Sequence, residues 1–210
     1  MTGRDLSSPV TVINRFTVKG DPEDFERQFR QHSQHLRRQR GFAFLVTVRL
    51  LERQDVYVHL VRWRRLESFL NVVHDDTFLA HVQRLGKLVD TEADQAVAVA
   101  RITVENALVG ADNVVLLYAA VDGDHLAFQE DFVALGEDCR LLGGFGGSDL
   151  LHSIVSPQRY LGLMWWRDTE SCDRALAGSG FRDWRQRMLG RARIRVERTR
   201  HVAYERVLTE

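Results

Sequence analysis

The sequence predicts an α+β fold made of two tandem ferredoxin-like units, each with the order β-α-β-β-α-β. The chain has 210 residues, a length that suits two small domains. The stretch Tyr57 to Arg84 returns without a gap at Tyr160 to Arg187. In both copies, β-branched runs alternate with helical patterns in the split β-α-β order. Because helices cover only one face of such a sheet, we expect the units to pack sheet to sheet as an α+β barrel pseudo-dimer.

The register of the repeat extends beyond that stretch. Upstream, Gly41-Phe42 matches Gly144-Phe145 at the same offset. One register over a whole unit indicates a duplicated domain and predicts repeats over 10–104 and 112–207. Within the central stretch, the residues kept in both copies are Tyr57, Leu60, Trp63, Arg64, Glu67, Ser68, Phe78, Gln83 and Arg84.

Each element of the first copy has a local signal. Asp21 suits an N-cap and Pro22 the first turn of a helix whose apolar face carries Phe25 and Phe29, and Gly41 ends that helix. Runs of β-branched residues, separated by polar turns, predict the strands. The predicted strands are 10–18, 43–51, 56–63 and 96–104, and the second helix is 66–88 with a break near residue 74.

The second copy repeats the same order. A glycine run at 143–147 follows a helix and precedes a strand, whereas a dinucleotide site needs the reverse order, so we interpret it as a flexible helix exit. Residues 105–113 link the copies. The predicted strands are 114–121, 147–155, 159–167 and 193–207, and the predicted helices are 124–140 and 169–189.

Composition excludes several classes of protein. Lys+Arg and Asp+Glu both number 29, so no net charge points to nucleic acid or to an anionic membrane. No apolar run reaches the ~20 residues that cross a bilayer, and the first residues lack a signal peptide, so we expect a cytoplasmic protein. Cys139 and Cys172 are far apart and form no metal-type pair, so we expect packing roles for both and no metal site.

Three segments carry a resemblance to a known family. They are INRFTVK at 13–19, LRRQRGF at 36–42 and YVHLVRW followed by RRLESF at 57–69. With weaker echoes in the second copy, the sequence resembles the two-repeat form of the antibiotic biosynthesis monooxygenase family. The resemblance implies an α+β barrel, a possible homodimer and an oxygenase that acts on a polycyclic aromatic polyketide.

The resemblance leaves the reaction open. Family members oxidise polyketide phenols to quinones with O2 and neither metal nor flavin, while some two-repeat relatives cleave rings with reduced flavin (FAD or FMN). Related barrels degrade heme. A non-catalytic protein that holds a polyketide for another enzyme is a further alternative. Cofactor-free oxidation needs an apolar pocket, a proton or hydrogen-bond acceptor for the phenol, and donors for the developing oxyanion.

Three residues of the first copy are the catalytic candidates. His59 stands where quinol-forming members often carry Asn, and its neutral imidazole could accept a phenol proton. Asn14 could orient a carbonyl or peroxide, or it could be an edge-facing polar residue. His81, after Ala80, resembles the iron-ligating histidine of the heme-degrading relatives; it is otherwise a half-buried residue or a substrate contact. The counterparts are Gly162, Leu117 and Trp184.

Aromatic residues and further histidines complete the candidates. By strand alternation, His59 and Trp63 face the same side, which is either a pocket wall or an outward surface. Since five of the eight histidines lie in the first copy, we expect that copy to hold the working site, with His32 and His35 solvated. The substrate-binding candidates are Phe16, Trp63, Phe69, His74 and Phe78, and a competing site in the second copy would use Tyr118, Trp165 and Trp184.

Overall fold

A computed structural model describes residues 5–206, with side chains as far as Tyr204. The strands are β1 Val10–Val18, β2 Phe42–Leu50, β3 Val56–Trp63, β4 Val89–Thr103, β5 Val114–Val121, β6 Phe145–Ser153, β7 Arg159–Trp166 and β8 Ala192–Arg206. The helices are α1 Pro22–Arg37, α2 Leu66–Val73, α3 Asp76–Leu85, α4 His125–Leu141, α5 Thr169–Ala177 and α6 Ser179–Met188.

The predicted fold class is confirmed. The elements follow the ferredoxin-like order twice, and paired strands are antiparallel. The hydrogen-bonded strand order β1-β3-β2-β8-β5-β7-β6-β4 closes into a barrel.

The chain divides into two compact units that do not follow the repeats. Among the described residues, the first unit comprises 5–49, 53–95 and 203–206, and the second comprises 50–52 and 96–202. The division falls inside β4, because Ala96 and the residues after it pair with β6. The repeat boundaries at 10–104 and 112–207 stay predictions.

In the first unit, α1 packs on one face of the strands. Alternate residues of β1 and β3 point toward this helix. Asp21 caps α1 by accepting a hydrogen bond from the Glu23 backbone N–H, and Pro22 opens the helix, as predicted. The ring centroid of Phe25 lies 5.6 Å from that of Phe16 and 4.9 Å from that of Tyr57, so the three aromatic rings form part of the hydrophobic core of this unit.

Residues shared by both copies build the joint between strand and helix. Gly41 has φ 83°, a conformation that glycine adopts at little cost, and a Cβ there would overlap the Ser68 hydroxyl. Its carbonyl accepts a hydrogen bond from the Arg64 N–H at 2.8 Å. The matched Gly144, with φ 73°, meets Ser171 in the same way. These repeated residues therefore build the same joint in both copies.

Three elements differ from the sequence prediction. β4 begins at Val89 rather than 96, because its first residues are polar and exposed and give no apolar alternation. The helix expected over 169–189 breaks at Gly178, whose extended backbone ends α5 and begins α6. β6 begins at Phe145, inside the glycine run, where a side chain on Gly146 would strike the Trp165 indole.

Candidate active site in the first unit

A polar row crosses three adjacent strands of the first unit. Asn14 on β1 and Thr47 on β2 are the cross-strand partners of His59 on β3. Directly paired residues project to the same face of a sheet, so the three side chains form one row. The Thr47 hydroxyl lies 2.9 Å from Nδ1 of His59, and the Phe29 ring of α1 stands perpendicular to the imidazole at 4.6 Å. This face therefore points toward the helices.

His59 is buried, and one of its two ring nitrogens has no hydrogen-bond partner. It is 1% exposed, and its Nε2 makes no hydrogen bond. Burial, with a smaller effect of His32, lowers the pKa of His59 to about 3. The ring is therefore neutral at pH 7. A buried polar atom without a partner costs about 1–3 kcal/mol, a cost that a bound ligand can remove.

His32 on α1 extends the polar lining. It is 7% exposed, and its Nδ1 is buried without a hydrogen bond. Its ring lies 5.4 Å from Phe78 and 5.8 Å from His81, both on α3. Burial, followed by the nearby His81 and His35, lowers the pKa of His32 to about 3. We call His59, His32 and His81, together with Asn14 and Thr47, the histidine site.

The sequence-based expectation that His32 is solvated is wrong. Phe25, Phe29, His32 and Leu36 follow one another at intervals of four, three and four residues, which places His32 on the buried face of α1. That spacing was the signal that could have identified it. His35 is half-buried, with Nε2 3.5 Å from Asp75 and 3.1 Å from Gln39.

His81 lies at the outer end of the histidine site. It is half-buried, its Nδ1 has no hydrogen-bond partner, and its ring is 5.4 Å from His35. Burial is the main cause that lowers the pKa of His81, and Asp75 opposes it. Asn14 is thus the direct cross-strand partner of His59. His81 is connected to His59 through two further rings, because His32 contacts His81 and the Phe29 ring contacts both His32 and His59.

The aromatic candidates of the first copy fall into separate groups. Phe16 packs against Phe29 at 5.4 Å and forms part of the site's floor, and half-buried Phe78 covers His32. Trp63 is buried four residues along β3, about 13 Å from His59. Its ring is 6.2 Å from that of half-buried Phe69. His74 is exposed at the end of α2, and the structure does not bring it to the histidine site.

In the second unit the matching space is filled by apolar groups. A Cβ on Gly162, the counterpart of His59, would stand 2.5 Å from the Phe132 ring. The counterparts of Asn14, His32 and His81 are all fully buried in one hydrophobic core: Leu117, Leu135 and Trp184. At these matched positions, one scaffold therefore carries polar side chains in the first copy and glycine or apolar side chains in the second.

The competing set of aromatic residues in the second copy does not form one site. Trp184 belongs to the core on the helix side, together with Leu117. Tyr118, next to Leu117 in β5, projects to the opposite face and lies 4.7 Å from the Arg195 guanidinium. Trp165 donates its indole N–H to the Glu105 carbonyl at 2.7 Å. The structure thus places Tyr118 and Trp184 on opposite faces of the strand.

The two cysteines, for which the sequence predicted packing roles, lie outside the histidine site. Cys139 and Cys172 are buried, and burial raises the pKa of each thiol to about 12, so both stay protonated as packing groups. Among residues 5–206, no three His, Cys, Asp or Glu side chains are grouped to bind a metal ion. No helix in the described part of the chain is long and apolar enough to cross a membrane.

Comparisons with known proteins relate this chain to one family of enzymes. The family model for antibiotic biosynthesis monooxygenases matches residues 9–84, which include the polar row and all of α3 except its last residue. Deoxynogalonate monooxygenase from Streptomyces nogalater is 32% identical over 83 residues, which are 40% of this chain and 70% of that protein. A cofactor-independent oxygenase from the same organism is 30% identical, with 44% of this chain and 95% of that chain covered (TM-score 0.44).

The fold of nearly the whole chain is found in a solved structure as well. A protein from Fusobacterium nucleatum superposes with a TM-score of 0.78 over 95% of both chains at 11% identity, a likeness of fold alone. The sequence match to deoxynogalonate monooxygenase shows the relationship more strongly, because it reaches 32% identity and covers 70% of that enzyme. This chain belongs to the antibiotic biosynthesis monooxygenase family.

Proposed function

We propose that this protein is an oxygenase that oxidises a polycyclic aromatic polyketide phenol with O2 in antibiotic biosynthesis, and that the histidine site is its active site. The observation that carries the proposal is the buried Nε2 of His59, which has no partner within a row of polar side chains under aromatic rings. The similarity to deoxynogalonate monooxygenase supports a substrate of this class.

The lining of the site suits a flat, oxygenated substrate. Phe29 and Phe78 supply aromatic surface, against which fused rings bind by offset or edge contacts. Nε2 of His59 and the Asn14 amide can hydrogen-bond a phenol or carbonyl oxygen. Few polar groups in an apolar surrounding fix the orientation of a ligand, as in most small-molecule sites.

The reaction we propose is the conversion of a phenol to a quinone. The substrate loses the phenolic hydrogen and one ring hydrogen, one oxygen atom of O2 becomes the new carbonyl, and the other leaves as water. An electron-rich phenolate reduces O2 directly, so we propose that no added cofactor is needed. The protein contributes a dry site and hydrogen bonds to the phenolate and to the reduced oxygen.

The environment of His59 favours hydrogen bonding over proton abstraction. A pKa of about 3 makes the imidazole a weak base toward a phenol. If the Thr47 hydroxyl donates to Nδ1, then Nε2 carries the hydrogen and donates to the substrate oxygen. We therefore propose that His59 stabilises the phenolate, and the sequence-based role as a general base stays a prediction.

Substitution of His59 tests the assignment of the site. We expect His59→Ala to lower kcat/KM for a tricyclic phenol by about 100-fold, the scale of one lost oxyanion donor. His59→Asn should retain more activity, because its amide can donate a hydrogen bond. O2 consumption and quinone absorbance measure both. Equal activity of wild type and His59→Ala, with unchanged melting temperature, would remove His59 from the mechanism.

The pH dependence of the rate separates the two roles of His59. With a pKa of about 3, His59 stays neutral over the range from pH 5 to 8. The pH profiles of kcat/KM for the wild type and for His59→Asn should therefore have the same shape over this range. An inflection near pH 6.5 in the wild type that is lost in His59→Asn would show a titrating base and contradict the hydrogen-bonding role.

The alternatives predicted from the sequence give different results in the same assays. Activity only after addition of reduced FAD or FMN would indicate flavin-assisted ring cleavage. A Soret band with hemin that is lost in His81→Ala would indicate heme binding. Tight binding of a polycyclic phenol without O2 consumption would indicate a non-catalytic polyketide-binding protein. A homodimer and a cytoplasmic location stay predictions.

A further inference from the structure

We propose that His32 is a second substrate-contacting residue, which hydrogen-bonds an oxygen on a different ring from the oxygen bound by His59. The site would then select polycyclic aromatic substrates that carry uncharged oxygen substituents on two rings. This inference rests on the proposed function and extends it from a reaction class to a substrate pattern.

The first observation is the burial of His32 without a hydrogen bond. Its side chain is more than nine-tenths buried, yet Nδ1 contacts no donor or acceptor. The groups that face it from α1 and α3 are the rings of Phe29, Phe78 and His81, and none of these contacts is a hydrogen bond. A ligand oxygen at this position would satisfy Nδ1.

The second observation comes from the other copy. Leu135 stands at the position that matches His32 and is fully buried in a continuous hydrophobic core. The same helix of the same scaffold therefore packs without a polar group at this position. Since a buried neutral imidazole without a partner costs free energy that leucine does not, packing alone gives no reason for the histidine.

The third observation is the placement of His32 relative to His59. Both imidazoles contact the Phe29 ring, His59 at 4.6 Å and His32 at 5.9 Å between ring centroids. The two histidines are thus polar points joined by an aromatic surface. A fused-ring substrate that lies along this surface presents its ring faces to the aromatic residues and its edge oxygens to the two imidazoles.

The charge state of the pair indicates which oxygens it accepts. Burial keeps both rings neutral, and the structure gives His32 no carboxylate partner: the titratable groups near it are His59, His81 and His35. A neutral imidazole donates or accepts one hydrogen bond at each nitrogen, which suits a hydroxyl or a carbonyl. The pattern that fits is a phenol or ketone oxygen at each of the two positions.

The experiment compares two probe substrates in the wild type and in variants of His32 and Gln34. The probes are 1,8-dihydroxyanthrone, which has oxygens on the outer rings, and anthrone, which lacks the outer hydroxyls. The variant is His32→Leu, which installs the residue found in the second copy. The matched control is Gln34→Leu, on the exposed face of the same helix. The readout is the ratio of kcat/KM for the two probes, so that differences in intrinsic reactivity cancel between proteins.

We expect His32→Leu to lower this ratio by about tenfold or more, because a site built to bind a hydroxyl discriminates against an analogue that lacks it. His32→Asn should recover part of the ratio, and Gln34→Leu should leave it unchanged. A purely structural role of His32 would lower the rate with both probes and leave the ratio unchanged, which would overturn the inference.

Failure of the proposed function gives a separate result. If the wild type oxidises neither probe, the oxidation is contradicted, and the ratio of Kd values for the two probes then tests His32 in its place. An unchanged Kd ratio in His32→Leu overturns the inference, and a ratio lowered about tenfold supports it. If His32→Leu does not fold, His32→Phe serves as the deciding variant in both assays, because its ring has a similar shape and cannot form the hydrogen bond of an imidazole nitrogen.

Discussion

At the scale of residues, the proposed active site consists of positions at which the two copies differ. His59 against Gly162 and Asn14 against Leu117 were visible in the sequence, because a gapless repeat aligns them without ambiguity. The reason for Gly162 was not visible. The Phe132 ring occupies the position that a Cβ atom on residue 162 would take. The second copy therefore lacks the imidazole of His59 and also fills the space beside Gly162 with an aromatic ring.

Substitution of Gly162 tests this packing. We expect Gly162→Ala to destabilise the protein by about 1–3 kcal/mol, because its Cβ would meet the Phe132 ring at 2.5 Å in a packed core. The free energy of unfolding in urea measures the effect. Gly123→Ala is the matched control, since no atom lies within 4 Å of a Cβ at that position. Equal stability of the two variants would show that the second copy has room in its core.

At the scale of elements, α3 and α6 occupy matched places in the repeat but are anchored differently. α6 buries Phe181, Trp184 and Met188, whereas α3 buries only Leu85. The matched residues Phe78 and His81 are half-buried. The sequence predicted the break before α3 from His74-Asp75-Asp76. The burial of the α3 side chains could not be predicted in this way, because it depends on how α3 packs against α1, and a local sequence pattern does not contain that information. Because α3 has fewer buried side chains than α6, we propose α3 as the element through which a substrate enters.

Hydrogen exchange measures this difference directly. We expect amides of α3 to exchange at least about tenfold faster than those of α6, because fewer buried contacts lower the free energy of local opening. Addition of 1,8-dihydroxyanthrone without O2 should slow exchange in α3 and leave α6 unchanged. Equal protection of the two helices in the free protein would contradict a role of α3 in substrate entry.

At the scale of the whole molecule, the sequence predicted the class of fold and the order of its elements, but not the compact units. A repeat in the sequence ends at the end of its last strand. A compact unit can end within that strand, at the residue where the strand begins to pair with a different neighbour. β4 shows the difference: it is one strand of 15 residues, and from Ala96 onward it pairs with β6 of the second unit. Only the three-dimensional pairing contains that information.

Buried neutral histidines also affect the stability of the whole chain. Burial lowers the pKa of His32 to about 3, below its ordinary value of 6.5. Below pH 6.5 the unfolded chain therefore binds a proton that the folded chain does not, so stability falls with falling pH until about pH 3. We expect His32→Leu to reduce the slope of unfolding free energy between pH 6 and 4 by about 1.4 kcal/mol per pH unit. Gln34→Leu should keep the wild-type slope, and so would His32→Leu if His32 were protonated in the folded state.

We propose that the first unit holds the active site. A crystal structure of the protein with 1,8-dihydroxyanthrone, grown without O2, tests this assignment. We expect one bound molecule between β3 and the helices α1 and α3, with a ligand oxygen within hydrogen-bond distance of Nε2 of His59. A ligand seated among Leu117, Phe132 and Trp184 in the second unit, or a first unit that stays empty while a ligand is bound elsewhere, would contradict it.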